Sequence, residues 1–264
     1  MIETFAMEIR LGLSISGTLL FLLLELAGPY RKPSVSKFKR WVVNLVLALF
    51  NTVVLNLISR GAIVAAAAYV TANRVGLLNL IEPPSWFKTL ATLVFMDFML
   101  YVWHLLNHEA PLLWRFHRVH HSDLNMDVST AARFHLGELM ISAVIKIALV
   151  YFIGAALTGV VVFESLLLLC AQFHHSSLRV PAWFERVFWV LFVPPSMHRI
   201  HHSVVIRERN ANYGTVFSLW DRIMGTMRAD VDQTGIRIGL GAYPRAERLN
   251  LHHLLTMPFT RAVR

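Results

Sequence analysis

The chain is poor in the residues that support disulfide, iron–sulfur and nucleotide chemistry. It has one cysteine in 264 residues, Cys170, inside an apolar run. Intrachain disulfides, cysteine-ligated zinc and cysteine-ligated iron–sulfur clusters are therefore excluded. No G-x-G-x-x-G sits on a strand–helix unit, and no C-x-x-C-H or H-E-x-x-H occurs, which removes the usual dinucleotide, haem-attachment and zinc-protease signatures. Charge is scarce too. Asp, Glu, Lys and Arg make up 16% of the residues, against about 25% in an ordinary soluble domain.

What replaces them is apolar. The hydrophobic fraction is 56% and the mean hydropathy is +0.53. The excess lies in long runs, so the expected class is an all-α, integral membrane helical bundle with a histidine-rich, metal-binding cap on the cytoplasmic side. A bilayer core needs about 20 apolar residues per helix. Residues 11–27, 41–70, 90–106, 139–152 and 157–173 qualify or come close. The last two form a hairpin (139–173), charged only at Lys146 and Glu164. The run 41–70 contains Arg60 and Gly61, and one crossing broken at Gly61 is expected. No cleavable signal follows the first run, which reads as retained.

The net charge of +9 is unevenly placed. Arg31, Lys32, Lys37, Lys39 and Arg40 follow the first run, and twelve arginines follow His175. These read as positive-inside signals with contact to anionic lipid. No nucleic-acid recognition module accompanies them, so nucleic acid is not an expected partner. With the 31–40 loop cytoplasmic and one crossing at 41–70, every histidine cluster falls on the cytoplasmic side and the N-terminus on the other. The expected organisation is 1–89 for N-terminal transmembrane helices and linker, 90–230 for the catalytic domain and 231–264 for a cytoplasmic tail.

Eleven of the thirteen histidines fall between His104 and His202. Residues three and four apart share a helix face. His104 and His108 are such a pair. His117, His120 and His121 form H-x-x-H-H, and His198, His201 and His202 repeat it. Imidazole suits iron, zinc, copper and nickel. Eight ligands exceed what one ion takes, so two metals are implied. Asp97 lies in an apolar run, where a carboxylate reads as functional. With Tyr101 it forms one stripe leading to His104 and His108, and it is expected to support the metal-bound histidines as an outer partner. Three uses remain open for such a set. An oxygen-activating enzyme is one, a transition-metal transporter or non-catalytic metal-binding membrane protein a second, and a zinc hydrolase a third. A transporter needs ligands along a path across the membrane. A hydrolase needs an open zinc site with a general base.

The ordered motifs "DFMLYVWHLLNHEAPLLWRFHRVHHS" (97–122), "TAARFHLGE" (130–138), "PPSMHRIHHS" (194–203), "NYG" (212–214) and "WDRIMGT" (220–226) resemble the fatty acid hydroxylase/sterol desaturase superfamily. The resemblance runs from about Leu90 to Met227. It implies a membrane-bound, non-haem di-iron oxygenase that hydroxylates or desaturates a sterol, fatty acyl chain, ether lipid or carotenoid. Such an enzyme uses two iron ions, O₂ and a separate electron donor, whether reductase, ferredoxin or cytochrome-like. By position the resemblance makes His104, His108, His117, His120, His121, His198, His201 and His202 catalytic metal ligands. It adds His135, from an R-x-H-P motif in which Leu136 replaces the proline. It adds His175 too, with His174 where glutamine is common and Ser177 where asparagine is usual. Asn212, Trp220 and Asp221 match motifs that organise the cap. Imidazole-rich sites of this kind also accept zinc.

Overall fold

The computed structural model describes residues 2–59, 61–261 and 263; Arg60, noted above as a charge in the second run, lies outside them. Among the described residues the chain is helical, with three isolated β-bridges and no strand. The long helices are α1 (Ile2–Ala27), α2 (Lys37–Ser59) and α3 (Ala62–Asn73). After the one-turn α4 (Leu77–Leu80) come α5 (Ser85–Glu109), α6 (Pro111–His121), α7 (Leu136–Ile153) and α8 (Leu157–His175). Two short helices of the cap, α9 (Ala182–Phe188) and α10 (Pro195–His201), follow.

Six segments among the described residues are long and apolar enough to cross a membrane. Five were expected, and the sixth comes from the break in the run 41–70. The break falls at Gly61, whose φ of 67° is left-handed and free of strain only for glycine. Alone, the 12 residues of α3 rise about 18 Å, short of the roughly 30 Å core. The partners of α2 and α3 nevertheless advance in one direction. Arg40 and Asn44 meet the cap at Asp123 and Ser129, and Asn51 reaches the Phe134 carbonyl. Thr71 then reaches Ala155 at the far end of the bundle. Contacts along α2 and α3 thus advance from the cap toward the far end of the bundle. α7 is longer than the expected 139–152, because the His135 side chain accepts from Gly137 N–H and starts the helix at Leu136.

The bundle is inside-out relative to a soluble protein. Leu11, Leu23, Leu49 and Leu57 are exposed, whereas Glu25, Asn44, Asn51, Thr92 and Asp97 are buried. Polar groups that would be costly in lipid face the interior, where they find partners. The far end is packed by small residues: Ala66, Ala67 and Val70 of α3 sit against Val150 and Phe163. There Gly76 (φ 90°) lies so close to Gly154 that a Cβ would stand 2.3 Å from the Gly154 nitrogen.

At the other end, α1, α5 and α8 all finish in the cap. Glu25 of α1 accepts from the Val128 and Ser177 backbone and pairs with Lys37. Arg40 is buried and bridges Asp123 and Asp127. Two of the five cations assigned to the basic loop are thus held in ion pairs of the cap. Residues of 231–261 also pack here. Leu249, Leu254 and Met257 form a buried cluster with Leu47 and Val119, and Ser203 bridges to Ile238.

Candidate metal centre

Nine buried histidines meet in the cap as two groups. One group is His104, His108, His117, His121 and His201; the other is His120, His175, His198 and His202. Within each group the ligand nitrogens lie within 4.8 Å of one another. Local structure explains the gathering. α5 ends at Glu109, and after Ala110 the residue Pro111, at the first position of α6, starts a new helix at once. The turn brings His104 and His108 against His117, with ring centroids 5.0 and 4.9 Å apart. α8 delivers His175 to His120, their Nε2 atoms 3.1 Å apart. α10, also opened by a proline, brings His201 to His104 and His198 to His175.

The ring nitrogens sort into held and free atoms. His104 Nδ1–H donates to the Tyr213 carbonyl at 2.8 Å, and His201 Nδ1–H to Ala211 at 2.8 Å. His117 Nδ1–H donates to Glu138 at 2.8 Å. His120 and His175 donate to the carbonyls of Arg133 and Ala171. His108 leans on Asn210 Oδ1 at 3.4 Å. Each such bond leaves the Nε2 lone pair pointing the other way, as a metal-bound histidine requires. Nε2 of His104, His108 and His201 is buried without a hydrogen-bond partner. The remaining contacts are nitrogen to nitrogen, at 2.9 to 3.2 Å between Nε2 atoms of paired histidines. Buried orphan nitrogens in this number are costly. Two ions, each bonded at about 2 Å, would satisfy them after small side-chain shifts.

Electrostatics favours the ligand form. Burial, reinforced by neighbouring imidazoles, pushes His120, His121, His198, His201 and His202 well below the ordinary histidine value. The rings stay neutral, and a neutral imidazole is what a metal binds. Below them, burial works to raise the Asp123 carboxylate. The Arg40 and Arg133 guanidiniums prevail and hold it well below the usual carboxylate range.

Not every candidate residue joins a group. His135 stands apart: its Nδ1 caps α7 and its Nε2 donates to the Leu255 carbonyl. Both nitrogens are used, so the residue at the position implied by the R-x-H-P resemblance serves here as a helix start and lies outside both groups. Asp97 touches none of the histidines. It accepts from Val216 N–H, Phe217 N–H and Trp220 Nε1–H. The loop it holds also presents the Tyr213 carbonyl to His104. Tyr101 bonds Thr226, which donates to Asp221, and Asp221 accepts from Tyr213 and Gly214 N–H.

The outer partners that sequence reasoning missed are Glu138, Asn210 and Arg133. Glu138 had a signal, since it ends the quoted "TAARFHLGE", but its contact with His117 is set by where α7 starts. Arg133, fully buried, donates to Val119, Asn44 and Ser122 and pins the end of α6. His174, beside His175, is buried with its ring centroid 4.0 Å from His198 but belongs to neither group.

The two groups open on a cavity of about 310 Å³. His104, His117, His120, His175 and His198 line one end, and Leu100, Trp103, Leu139, Leu167 and Leu168 line its sides. A largely apolar chamber lined in part by buried imidazoles can hold a hydrocarbon chain beside them.

Comparison with known proteins agrees with this geometry. The fatty acid hydroxylase family model matches residues 89–226. Ornithine lipid hydroxylase OlsE of Rhizobium tropici is 31% identical over 72% of this chain and 61% of its own length. Human alkylglycerol monooxygenase is 27% identical over 67% of this chain and 38% of its own. Human cholesterol 25-hydroxylase is 28% identical over 52% of this chain and 49% of its own. The chain thus spans between about two fifths and three fifths of the length of these relatives. No solved structure matches it significantly. The match covers both H-x-x-H-H motifs, most of α5 and the loop that carries Tyr213, and the chain belongs to the fatty acid hydroxylase family.

Proposed function

We propose that the chain is a membrane-bound, non-haem di-iron oxygenase that hydroxylates or desaturates an unactivated C–H bond of a lipid. One observation carries the reading. Nine buried imidazoles lie in two groups, and five of them line a largely apolar cavity within a bundle of membrane-length helices. His104, His108, His117, His121 and His201 would hold one iron, and His120, His175, His198 and His202 the other. When bound, the metal pair supplies O₂ activation and the oxidising power for C–H cleavage. The protein's share is orientation and exclusion of water. Leu139, Leu167 and Leu168 hold the chain of the lipid, and Glu138 and the Tyr213 and Ala211 carbonyls keep the imidazoles in the ligating tautomer. No protein acid or base is needed for hydrogen abstraction.

The relatives are named for hydroxylating or oxygenating an ornithine lipid, an alkylglycerol and cholesterol, which supports lipid as the substrate class. Electrons would come from a separate reductase, ferredoxin or cytochrome-like donor. The basic 31–40 loop lies at the same end of the bundle as the histidines, which supports a cytoplasmic metal site. The transporter alternative needs ligands along a path across the membrane, and all nine lie at one end.

Comparative lipid mass spectrometry tests the reading. Cells expressing the native chain or a His120→Ala, His201→Ala variant are grown under labelled O₂. A lipid that gains one labelled oxygen only with the native chain supports hydroxylation. Loss of two hydrogens without label supports desaturation. No difference, with folded, iron-loaded protein and a working reductase, counts against the reading for the lipids present.

A further inference from the structure

The cavity has a second polar end, away from the histidines. Glu164 of α8 is buried and accepts from two cations: Lys146 of α7 at 2.8 Å and Arg10 of α1 at 2.8 Å. All three residues line the cavity. Both Glu164 oxygens are taken, one by each cation. The trio therefore carries one positive charge in excess, within segments read as crossing the membrane. Such a charge is costly in lipid and marks a site that expects a counter-charge. The other carboxylate on the cavity wall, Glu138, is bonded to His117 at the histidine end.

The donors are available. The Arg10 and Lys146 side chains are 36% and 17% exposed, and each has further N–H groups beyond the one given to Glu164. Arg10 Nε is buried and unpartnered. With its one carboxylate engaged by both cations, the trio offers spare N–H donors and a net positive charge. It selects an anion. Its distance from the metals is set by α8. Glu164 precedes His175 by 11 residues of unbroken helix, about 16 Å along the axis.

We propose that Arg10 and Lys146, fixed by Glu164, bind the anionic group of the lipid substrate, a carboxylate or a phosphate. This rests on reading the cavity as the lipid site. The substrate then spans the cavity between two fixed points, and the carbon presented to the metals is the one that lies at that distance from its charge. The trio acts as a specificity site and makes no contact with the reacting atoms.

Binding to the full chain, metal-loaded and held in neutral phosphatidylcholine nanodiscs, tests this without turnover. The probes are tetradecanoate, tetradecyl phosphate, methyl tetradecanoate and free acetate, followed through the fluorescence of Trp103 at the cavity wall. One anionic probe, or both, is expected to bind at least tenfold tighter than the ester, with acetate ineffective; the two identify the anion. Lys146→Met and Arg10→Leu each leave a balanced pair with Glu164. Both variants should keep their metal content and thermal stability near native and lose the anion preference; Lys146→Arg should restore it. Equal binding of anion and ester to the native protein overturns the proposal, as does a preference that survives in both variants. A trio that merely ties three helices together would lower Tm in the variants and leave the probe ratios unchanged, which also overturns it. Lipid oxidation without anion preference removes this proposal alone. Failure of every probe to bind removes it together with the lipid reading of the cavity.

Discussion

The two H-x-x-H-H motifs are the same string, yet they are divided in opposite senses. In the first, His117 and His121 enter the five-histidine group and His120 the other. In the second, His198 and His202 enter the four-histidine group and His201 crosses to the first. Each motif sends its i, i+4 pair to one group and its i+3 residue to the neighbour. Helix geometry makes this division natural, because i+3 and i+4 lie on either side of the line through i. His121 and His202, the last residue of each motif, stack with ring centroids 4.5 Å apart where the groups meet. The outer support differs. The first motif leans on α7 and its start, through Glu138 and the Arg133 carbonyl. The second leans on the cap loop at Ala211. One motif is thus tied to the membrane bundle and the other to the cap.

The largest effect should come from removing one pair. His117→Ala, His121→Ala is expected to abolish activity and drop bound metal from two ions to one. His198→Ala, His202→Ala should do the same at the other group, and metal analysis with spectroscopy should show two different remaining ions. If either double variant loses both metals while still folded, the groups are not separate sites. A smaller effect is expected of Glu138→Gln, which removes the charge that holds His117. Loss of such an outer partner typically weakens metal binding about 10- to 100-fold. The weakening should be confined to the five-histidine group, as a competition titration with a chelator would reveal.

Asp97→Asn comes next. Asn keeps one acceptor but cannot take all three donors from Val216, Phe217 and Trp220. Its cost should be about 1–3 kcal/mol, the value of a buried polar group left unsatisfied, read as a lowered Tm. The five-histidine group should suffer first, because His104 hangs on the same loop through Tyr213. His135→Ala is expected to do least. It removes a helix cap worth about 0.5–2 kcal/mol and should leave the metal content at two ions. Loss of a metal in that variant would restore His135 as a ligand.

Particular residues show what could be read without the fold. The two metal-ligand motifs, the helical pair His104 and His108 and the break at Gly61 were legible because they depend on local spacing and backbone freedom. The hydrogen-bond partners of His135 and Asp97 were not legible, because they come from Leu255, Val216, Phe217 and Trp220, 119 to 123 residues away. Glu138 was in view but unassigned for the same reason.

The sequence by itself determined the class of molecule: long apolar runs force a membrane bundle, and the periodic histidines supply the donors of a metal site. The fold alone decided which histidines gather into which group, which carbonyl or carboxylate fixes the rings so held, and that Arg10, Lys146 and Glu164 share one cavity with five of the histidines. Periodicity along one helix specifies a face. The partner of that face is set only when distant helices pack, and that packing is decided by burial summed over the whole chain.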